Sequence, residues 1–486
     1  MRVVKLLLVS VLVLSFLLWS TPNAQAKGTV HRILISGGDL EGEVVITDVG
    51  LTSLLSLGYF EDFMAGEIEP PEILSEGYTL VRQFRNGSTY QTFDRTVYYP
   101  NEKGERGYVH YLGIENGSSG YDGKWYSVLP EGEMAMQRTL VSLSLTPFLL
   151  AVTETGEIYL LDPVTLEQVS VLSIYDDQTK KDRYSVTHLG ATVDGQKILL
   201  SDMQSAHVLD FSGASHCPAE IGDFVMTSLD GSRVLTRDDL NLQIRDAKTL
   251  GLQHMLSAAP IFPSVNGLYA IGLFSDGGNS YLARLDTQDY QFGKAVPLEN
   301  MPDTHDYKGV WELGFGQFYL TNGERLIVWN LWDETISNDY ENMDLRDAEA
   351  LRQAGVTIEP IAARDGRLFL YPRLDDTETS GGGIYVVNPH EGAQIRHWQR
   401  GLKFAHVIAA ENVFYALQAP RGADAVQIYM LDAIEGQILN SVELPVGVTY
   451  LAYVRLDDIS NVLVCSVTNK VPKSSSIVPV TATPAK

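Results

Sequence analysis

The residues best placed to bind a ligand lie in a short aromatic segment behind a glycine-rich loop. Tyr121, Asp122, Trp125 and Tyr126 directly follow the Asn-Gly-Ser-Ser-Gly run at 116–120. Exposed aromatic rings beside polar groups stack on sugar rings or anchor a protein partner. Aromatic residues that alternate along strands also pack across a sheet. The segment therefore predicts either a ligand-binding surface or a cross-strand aromatic ladder.

Acidic residues are the second group that could do chemistry. A suitably spaced pair of carboxylates cleaves glycosidic bonds by acid–base catalysis, but a sequence gives no separation between them. The sequence identifies no catalytic residue. Because carboxylates are abundant, a polysaccharide hydrolase or lyase is the alternative function. Asp162, Asp246 and Asp432 each end an apolar run, and this placement is more typical of turns, in which the carboxylate accepts backbone N–H groups.

Several other chemistries lack the residues they need. The chain has no G-x-S-x-G elbow of a serine hydrolase. The Gly-Gly-Gly at 381–383 follows an acidic stretch and opens a strand-like run, so it does not match a phosphate-binding loop. No CxxC or HxxxH spacing occurs, so we expect neither a metal site nor a cofactor. The two cysteines, Cys217 and Cys465, either form a disulfide or are separate small core residues.

Charge excludes nucleic acid as a partner. The chain has 61 acidic and 36 basic residues, a formal net charge of −25. Omitting residues 1–26, which contain only Arg2 and Lys5 as charged residues, leaves 34 basic against 61 acidic residues and a charge of −27. Such an excess repels phosphate backbones and anionic lipid surfaces. No Asp-x-Asp-x-Asp loop accompanies it, so it indicates solubility more than calcium binding.

The N-terminus has the layout of a secretory signal peptide. Arg2 and Lys5 precede an apolar run at 6–18, and Ala24-Gln25-Ala26 forms a small-residue cleavage site. An uncleaved anchor is the alternative, but the run is shorter than the roughly 20 residues of a membrane span. We therefore expect cleavage after Ala26 and a secreted or cell-envelope protein without stable membrane insertion. The Pro-, Ser- and Thr-rich residues 471–486 are expected to form a disordered tail.

A repeated β pattern occupies most of the chain after the aromatic segment. From about residue 140 to 470 a β-rich run ends in Asp or Asn, a turn follows, and a second β-rich run begins. The copies are EIYLLDPVTLEQV, AHVLDFSG, NLQIRDAKTLGL, SYLARLDTQDY, RLIVWNLWDETI, GIYVVNPHEGAQI and QIYMLDAIEGQI. Successive acidic or amide positions are separated by 48, 36, 40, 44, 58 and 44 residues. This spacing is typical of four-stranded propeller blades.

The number of blades follows from how the last strands are used. Each blade needs an inner and an outer pair of strands. Between residues 141 and 470, eight inner strand pairs but only seven outer strand pairs are recognisable. A propeller must close its ring because open strand edges promote aggregation. Either seven blades carry an extra C-terminal hairpin, or eight blades borrow strands from the N-terminal region. We expect seven, because the N-terminal strands have their own turns and helices.

Residues 27–140 do not share the repeat. Two strand-like runs, HRILISG and EVVITD, precede a helix-like stretch at 51–63. Further strand candidates are YTLVRQF, STYQTFDRTVYY, YVHYLGI and KWYSV, separated by Asn-Gly, Lys-Gly and Asp-Gly turns. A helical run, EGEMAMQRTL, leads into the repeats. These patterns predict a small α+β domain at 27–140, and we recognise no family for it.

The turns in SLDGSRVL, ATVDGQKIL and DAIEGQIL resemble those of YVTN and WD40-like repeats in bacterial exported propellers. The matching positions are Ser228, Asp230 and Gly231, Asp194 and Gly195, and Asp432 and Gly436. The resemblance covers residues 140–470 and implies a propeller fold while leaving function open. Quinone-dependent propeller enzymes are disfavoured, because the only comparable tryptophan pattern, NPHEGAQIRHW, has the wrong spacing.

The sequence as a whole predicts a mainly β protein, a seven-bladed or eight-bladed β-propeller preceded by a small α+β domain. Rigid blades present variable loops, and such loops commonly form binding surfaces. We therefore expect an exported binding or interaction scaffold for a protein or glycan partner. A cluster of Asp, His and Arg at the propeller axis would favour the enzyme alternative, and an exposed aromatic patch would favour binding.

Overall fold

The computed structural model describes residues 30–468 with internal gaps. The residues outside the description within that range are 57–59, 61–65, 73, 88, 102–105, 116, 118, 175–185, 203–204, 214–216, 219–220, 239–240, 258–259, 277–278, 300, 302–306, 313–315, 347, 375–381, 419–424, 446 and 461. The predicted signal peptide and C-terminal tail therefore lie outside the described residues. Within the described part of the chain, no helix is long and apolar enough to cross a membrane.

The N-terminal domain is a six-stranded antiparallel sheet with two helices. Its strands are β1 (Arg32–Gly37), β2 (Val44–Ile46), β3 (Tyr78–Asn86), β4 (Thr89–Tyr99), β5 (Tyr108–Ile114) and β6 (Lys124–Ser127), in the order β2-β1-β3-β4-β5-β6. Helix α1 (Val49–Leu54) has Asp48 as its N-cap residue, whose carboxylate accepts the Leu51 N–H at 2.8 Å. Helix α2 (Pro130–Ser144) has proline in its first turn, where no helical N–H is lost.

One face of this sheet is buried beneath the helices. Ile33, Ile35 and Leu80 alternate inward on their strands and pack with Leu54 and Met136 of the helices. The same buried face contains an ion pair, in which Arg82 Nη1 is 2.9 Å from Asp94 Oδ2. The Tyr111 hydroxyl also donates to that carboxylate at 3.0 Å. The core and the helices fix the direction in which the opposite face of the sheet points.

The remaining strands form seven four-stranded antiparallel sheets within the described residues. The second sheet contains β10 (His188–Ala191), β11 (Lys197–Ser201), β12 (Ser205–Asp210) and a fourth strand given below. The third to seventh sheets contain, in turn, β13 (Asp223–Thr227), β14 (Arg233–Arg237), β15 (Asn241–Asp246) and β16 (Leu252–Ser257); β17 (Ile261–Pro263), β18 (Tyr269–Asp276), β19 (Asn279–Asp286) and β20 (Val296–Leu298); β21 (Lys308–Glu312), β22 (Gln317–Thr321), β23 (Leu326–Asn330) and β24 (Thr335–Tyr340); β25 (Ile358–Arg364), β26 (Arg367–Pro372), β27 (Ile384–Asn388) and β28 (Ala393–Trp398); and β29 (Phe404–Ala410), β30 (Val413–Gln418), β31 (Ala425–Asp432) and β32 (Ile438–Pro445). Helix α3 (Ala348–Gln353) lies between β24 and β25, as the Ala- and Leu-rich segment there suggests.

The first sheet and the ring closure use both ends of the repeat region. Strands β7 (Thr146–Thr153), β8 (Glu157–Leu161) and β9 (Gln168–Ser173) are joined at the edge of β7 by β33 (Val448–Leu456). The first strands of successive sheets then contact each other in the cyclic order β33, β10, β13, β17, β21, β25, β29 and back to β33. The seven sheets are therefore blades around one axis, and the first strand of each blade is the innermost.

The expected extra C-terminal hairpin is wrong. Strand β33 becomes the innermost strand of the first blade, and β34 (Leu463–Thr468) becomes the outermost strand of the second blade by pairing with β12. Each strand satisfies an edge that its blade would otherwise leave open. The N-terminal domain keeps all six of its strands in its own sheet. The seven-bladed expectation is confirmed.

The predicted turn role of the repeated Asp and Asn residues is also confirmed. In each copy the side-chain oxygen accepts the backbone N–H two residues further on, over the range 2.8–3.1 Å. The residues are Asp162, Asp210, Asp246, Asp286, Asn330, Asn388 and Asp432. These hydrogen bonds favour the charged form and lower the pKa of Asp162 and Asp246. The most repetitive polar signal in the sequence is therefore structural.

Candidate functional site

The two ends of the propeller axis differ because the N-terminal domain covers one of them. Its core includes Leu229 and Leu268, which lie in the turns after the first strands of two blades. On other blades, His31 Nε2 lies 3.0 Å from Asp365 Oδ2, and Thr47 donates to Glu411 at 2.9 Å. The contacts come from blades on both sides of the ring, so the domain lies across the axis. We call this the capped end.

Further ion pairs and hydrogen bonds fix the domain there. Arg85 Nη1 lies 2.9 Å from Asp432 Oδ2, so one of the repeated turn carboxylates also holds the domain. Arg138 of α2 donates to the Ser228 carbonyl at 3.0 Å. A Cβ at Gly50 would lie 2.7 Å from the Val265 carbonyl oxygen, which shows how closely α1 approaches the propeller. The turns at the capped end are thus occupied by the protein itself.

A buried carboxyl group lies at this capped end. Glu312, the last residue of β21, is 4% exposed, and its Oε1 accepts the Gly366 N–H at 2.7 Å. The Tyr319 hydroxyl is 2.8 Å from Glu312 Oε2 and 2.5 Å from Gln317 Oε1. One phenolic hydrogen serves one of these acceptors, so a protonated Glu312 completes the network by donating to Tyr319. Burial raises the pKa of Glu312 to about 7.

The opposite end of the axis, where the first strands begin, carries a group of ionisable side chains. We call it the open mouth. On one side, His188 Nδ1 of β10 lies 3.4 Å from Asp223 Oδ2 of β13. Burial lowers the pKa of His188, Asp223 opposes this effect, and Arg237 and Lys308 add to it. Lys308 begins β21, three blades beyond β10, so groups on non-adjacent blades interact across the mouth.

The sixth, seventh and first blades contribute neutral donors and an ion pair to the open mouth. His406 of β29 and Tyr450 of β33 stack with ring centroids 4.4 Å apart. Because His406 Nδ1 accepts the Leu451 N–H at 3.0 Å, the neutral ring carries its hydrogen on Nε2. Burial, together with Arg373, lowers the pKa of His406 to about 4. Arg373 Nη1 lies 3.6 Å from Glu359 Oε1.

The aromatic segment predicted from sequence is divided between the two faces of the N-terminal sheet. Trp125 lies on the face away from the helices, half-buried, stacked on His110 at 4.5 Å and Tyr99 at 5.4 Å between centroids. Tyr126 is 3% exposed and belongs to the buried side. Tyr121 is 47% exposed and meets the Tyr126 ring edge-on at 6.2 Å. Trp125 and the pair Tyr121 and Tyr126 therefore do not form one surface.

Asp122 has a local structural contact. Its carboxylate accepts the Ser119 backbone N–H at 2.9 Å and the Ser119 hydroxyl at 2.6 Å. These bonds shape the glycine-rich turn before β6. A side chain committed to a turn in this way has less capacity for a ligand.

The hypothesis that Trp125 binds a ligand can be tested directly. If the row of Tyr99, His110 and Trp125 stacks on a ligand, Trp125→Ala should abolish binding of that ligand and leave the propeller folded. The measurement is ligand titration followed by circular dichroism and thermal unfolding of the variant. Leu112→Ala, which removes another exposed apolar side chain of the same sheet, is the matched control. Unchanged affinity in Trp125→Ala would eliminate this row as the binding surface.

Cys217 and Cys465 are joined in a disulfide, with Cα atoms 5.5 Å apart. Cys465 lies on β34 and is buried, whereas Cys217 is exposed in the connection from β12 to β13. The bond therefore ties β34 to the chain segment that leaves β12, its partner strand in the second blade. Among the described residues, no group of three or more His, Cys, Asp or Glu side chains is arranged to hold a metal ion.

Comparison with known proteins adds no functional identity. No family model matches the chain, and no curated protein matches it. A solved structure of dihydro-heme d1 dehydrogenase NirN in complex with DHE is 12% identical with a TM-score of 0.40, covering 62% of this chain and 74% of that one. A functionally unknown protein from Desulfotomaculum acetoxidans DSM 771 is 13% identical with a TM-score of 0.42, covering 64% and 99%. At these values the similarities carry no argument, and the resemblance to YVTN and WD40-like repeats stays a prediction.

Sequence reasoning missed the residues of the open mouth. His188, Asp223 and Lys308 are each the first residue of an innermost strand, and Glu359 is the second. Their separation along the chain hides any local motif. The usable signal was their place in the repeat, since a polar residue at the start of an inner strand is brought to the axis in every blade.

Proposed function

We propose that the protein is an exported β-propeller scaffold that binds a protein or glycan partner at its open mouth. The observation that carries this proposal is the asymmetry of the axis. The N-terminal domain covers the turns at one end, while accessible charged and hydrogen-bonding side chains gather at the other. Concave sites with a few convergent polar groups are the usual binding sites of proteins.

Location outside the cytoplasm is part of the proposal. The predicted signal peptide at 1–26 supports it, and so does the disulfide between Cys217 and Cys465, since disulfides persist in oxidising compartments. The large acidic excess supports solubility there and argues against anionic lipid surfaces and nucleic acid as partners.

The experiment is a thermal-shift screen of the purified protein against glycans, cell-wall fragments and candidate protein partners. A ligand bound only by the native state raises the melting temperature. We expect a saturable increase for at least one ligand class, reduced in His406→Ala and retained in Trp125→Ala. A shift lost in Trp125→Ala and unaffected by His406→Ala would move the site to the N-terminal sheet and refute the proposal.

One observation favours the enzyme alternative. The pair of His188 and Asp223, flanked by Arg237 and Lys308, is the axial cluster of Asp, His and Arg that catalysis would need. A polysaccharide hydrolase or lyase would release reducing ends or unsaturated products from a glycan that the screen identifies, and His188→Ala would abolish that release. Binding without turnover by the unmodified protein would exclude this alternative for that glycan.

A further inference from the structure

Two cations at the open mouth stand outside the salt bridges of the described residues. Arg237 ends β14 in the third blade, and Lys308 begins β21 in the fifth blade; both cations lower the pKa of His188 in the second blade. Neither forms a salt bridge with any of the residues that the structure describes. The chain has 61 acidic residues against 36 basic ones, so acidic partners are plentiful elsewhere. Accessible cations that form no salt bridge are suited to an anionic ligand.

Neutral donors lie on the seventh and first blades of the mouth. The Nε2–H of His406 and the hydroxyl of Tyr450 donate to no other residue in the described part of the chain. Because the Leu451 N–H occupies His406 Nδ1, this ring presents a hydrogen-bond donor and not an acceptor. Arg373 stands beside them, with a side chain that is 61% exposed. Five of the seven blades therefore offer donors to a ligand at the mouth.

The mouth also contains acceptors for hydroxyl groups. Asp223 and Glu359 keep partly exposed carboxylates, 28% and 19% accessible. Asp223 is the cross-strand partner of Arg237, and Glu359 pairs with Arg373. Carboxylates accept hydrogen bonds from hydroxyl groups, and guanidinium and ammonium groups bind carboxylates. A ligand that carries a carboxylate together with several hydroxyl groups would satisfy both sets. An acidic peptide supplies the carboxylates without the hydroxyl groups.

We propose that the open mouth binds an acidic sugar, with Arg237 and Lys308 holding its carboxylate and Asp223 and Glu359 accepting from its hydroxyl groups. This inference rests on the proposed function, because it names the ligand class of the same site. His406 and Tyr450 act as neutral donors on the seventh and first blades. The ligand class is a uronate-containing glycan, recognised through charge and hydroxyl groups together.

The experiment measures binding of a short oligogalacturonate to the purified protein by isothermal titration calorimetry. We expect saturable binding that weakens as salt is added, since charge attraction is screened. Replacing both cations, as Arg237→Ala with Lys308→Ala, should weaken binding at least tenfold. The matched control is Lys294→Ala, which removes an exposed cation next to the outer strand β20 and should leave affinity unchanged.

Three comparisons decide between ligand classes. A neutral galactose oligomer of equal length should bind at least tenfold more weakly, and a poly-glutamate peptide and inorganic sulfate should bind weakly or not at all. Tight binding of the peptide without the oligogalacturonate overturns the assignment, as does equal binding of the neutral oligomer. Absence of oligogalacturonate binding at millimolar concentration also overturns it.

These results remain separable from the proposed function. If the acidic sugar fails but another ligand gives a thermal shift that His406→Ala reduces, the open mouth is still the binding site and only the ligand class is wrong. If no ligand responds to any variant of the open mouth while Trp125→Ala abolishes binding, the proposed function itself fails.

Discussion

Replacing both cysteines, as Cys217→Ser with Cys465→Ala, is expected to lower the free energy of unfolding by about 3 to 5 kcal/mol. The two residues are 248 positions apart, so the bond closes a loop that spans most of the propeller and strongly restricts the unfolded chain. It also holds β34 against β12 in the second blade. The measurement is denaturant unfolding of the variant and the unmodified protein under identical conditions.

The expected defect has a defined location. Without the bond, β34 is retained by its ladder with β12 and by the packing of Leu463 and Val464, so amide hydrogen exchange should increase first in residues 463–468 and 205–210. Reduction and alkylation of the unmodified protein should reproduce the loss, and the same treatment should not affect the variant. Equal midpoints with and without the disulfide would show that β34 is held by the sheet alone.

Replacing Glu312 with glutamine is expected to stabilise the protein at alkaline pH by up to about 3 kcal/mol. The folded state binds the Glu312 proton more tightly than the unfolded state, with a pKa of about 7 against an ordinary value of 4.5. Protonated Glu312 therefore contributes its full stability below pH 4.5. That contribution is lost as the pH rises from 4.5 to 7. Above pH 7 Glu312 is ionised in both states, and folding then bears the full free-energy cost of burying the charge.

Glutamine preserves the neutral network, because its carbonyl accepts from Gly366 and its amide donates to Tyr319. We expect the variant and the unmodified protein to have similar unfolding free energies at pH 4.5 and to diverge up to pH 8. The measurement is urea unfolding across that range, with Glu391→Gln, an exposed carboxylate, as the control. A constant difference between the two proteins at every pH would show that Glu312 titrates normally.

Local signals in the sequence predicted the local structure well. The Asp and Asn turns recur because one side-chain oxygen and the next backbone N–H groups form them within three residues, as at Asp246. The N-terminal strands were predicted by their apolar alternation and glycine turns. The helix expected at 51–63 is described only at Val49–Leu54, and residues 57–59 and 61–65 of that range lie outside the description.

Long-range features were not predictable from the same signals. The partner of a strand edge depends on ring closure, so nothing local shows that β33 and β34 separate into two blades. The division of Trp125 from Tyr126 follows from strand alternation, which places neighbouring residues on opposite faces. The open mouth unites residues from His188 to Tyr450, and only the ring brings them together.

The central claim is that the open mouth, and not the N-terminal sheet, is the binding site. Hydrogen–deuterium exchange of the protein with and without a ligand selected by the thermal-shift screen tests it most directly. We expect protection in peptides that contain the beginnings of the inner strands, residues 188–191, 223–227, 308–312, 358–364 and 404–410. Protection confined to residues 108–127 of the N-terminal sheet, with these strands unchanged, would contradict it.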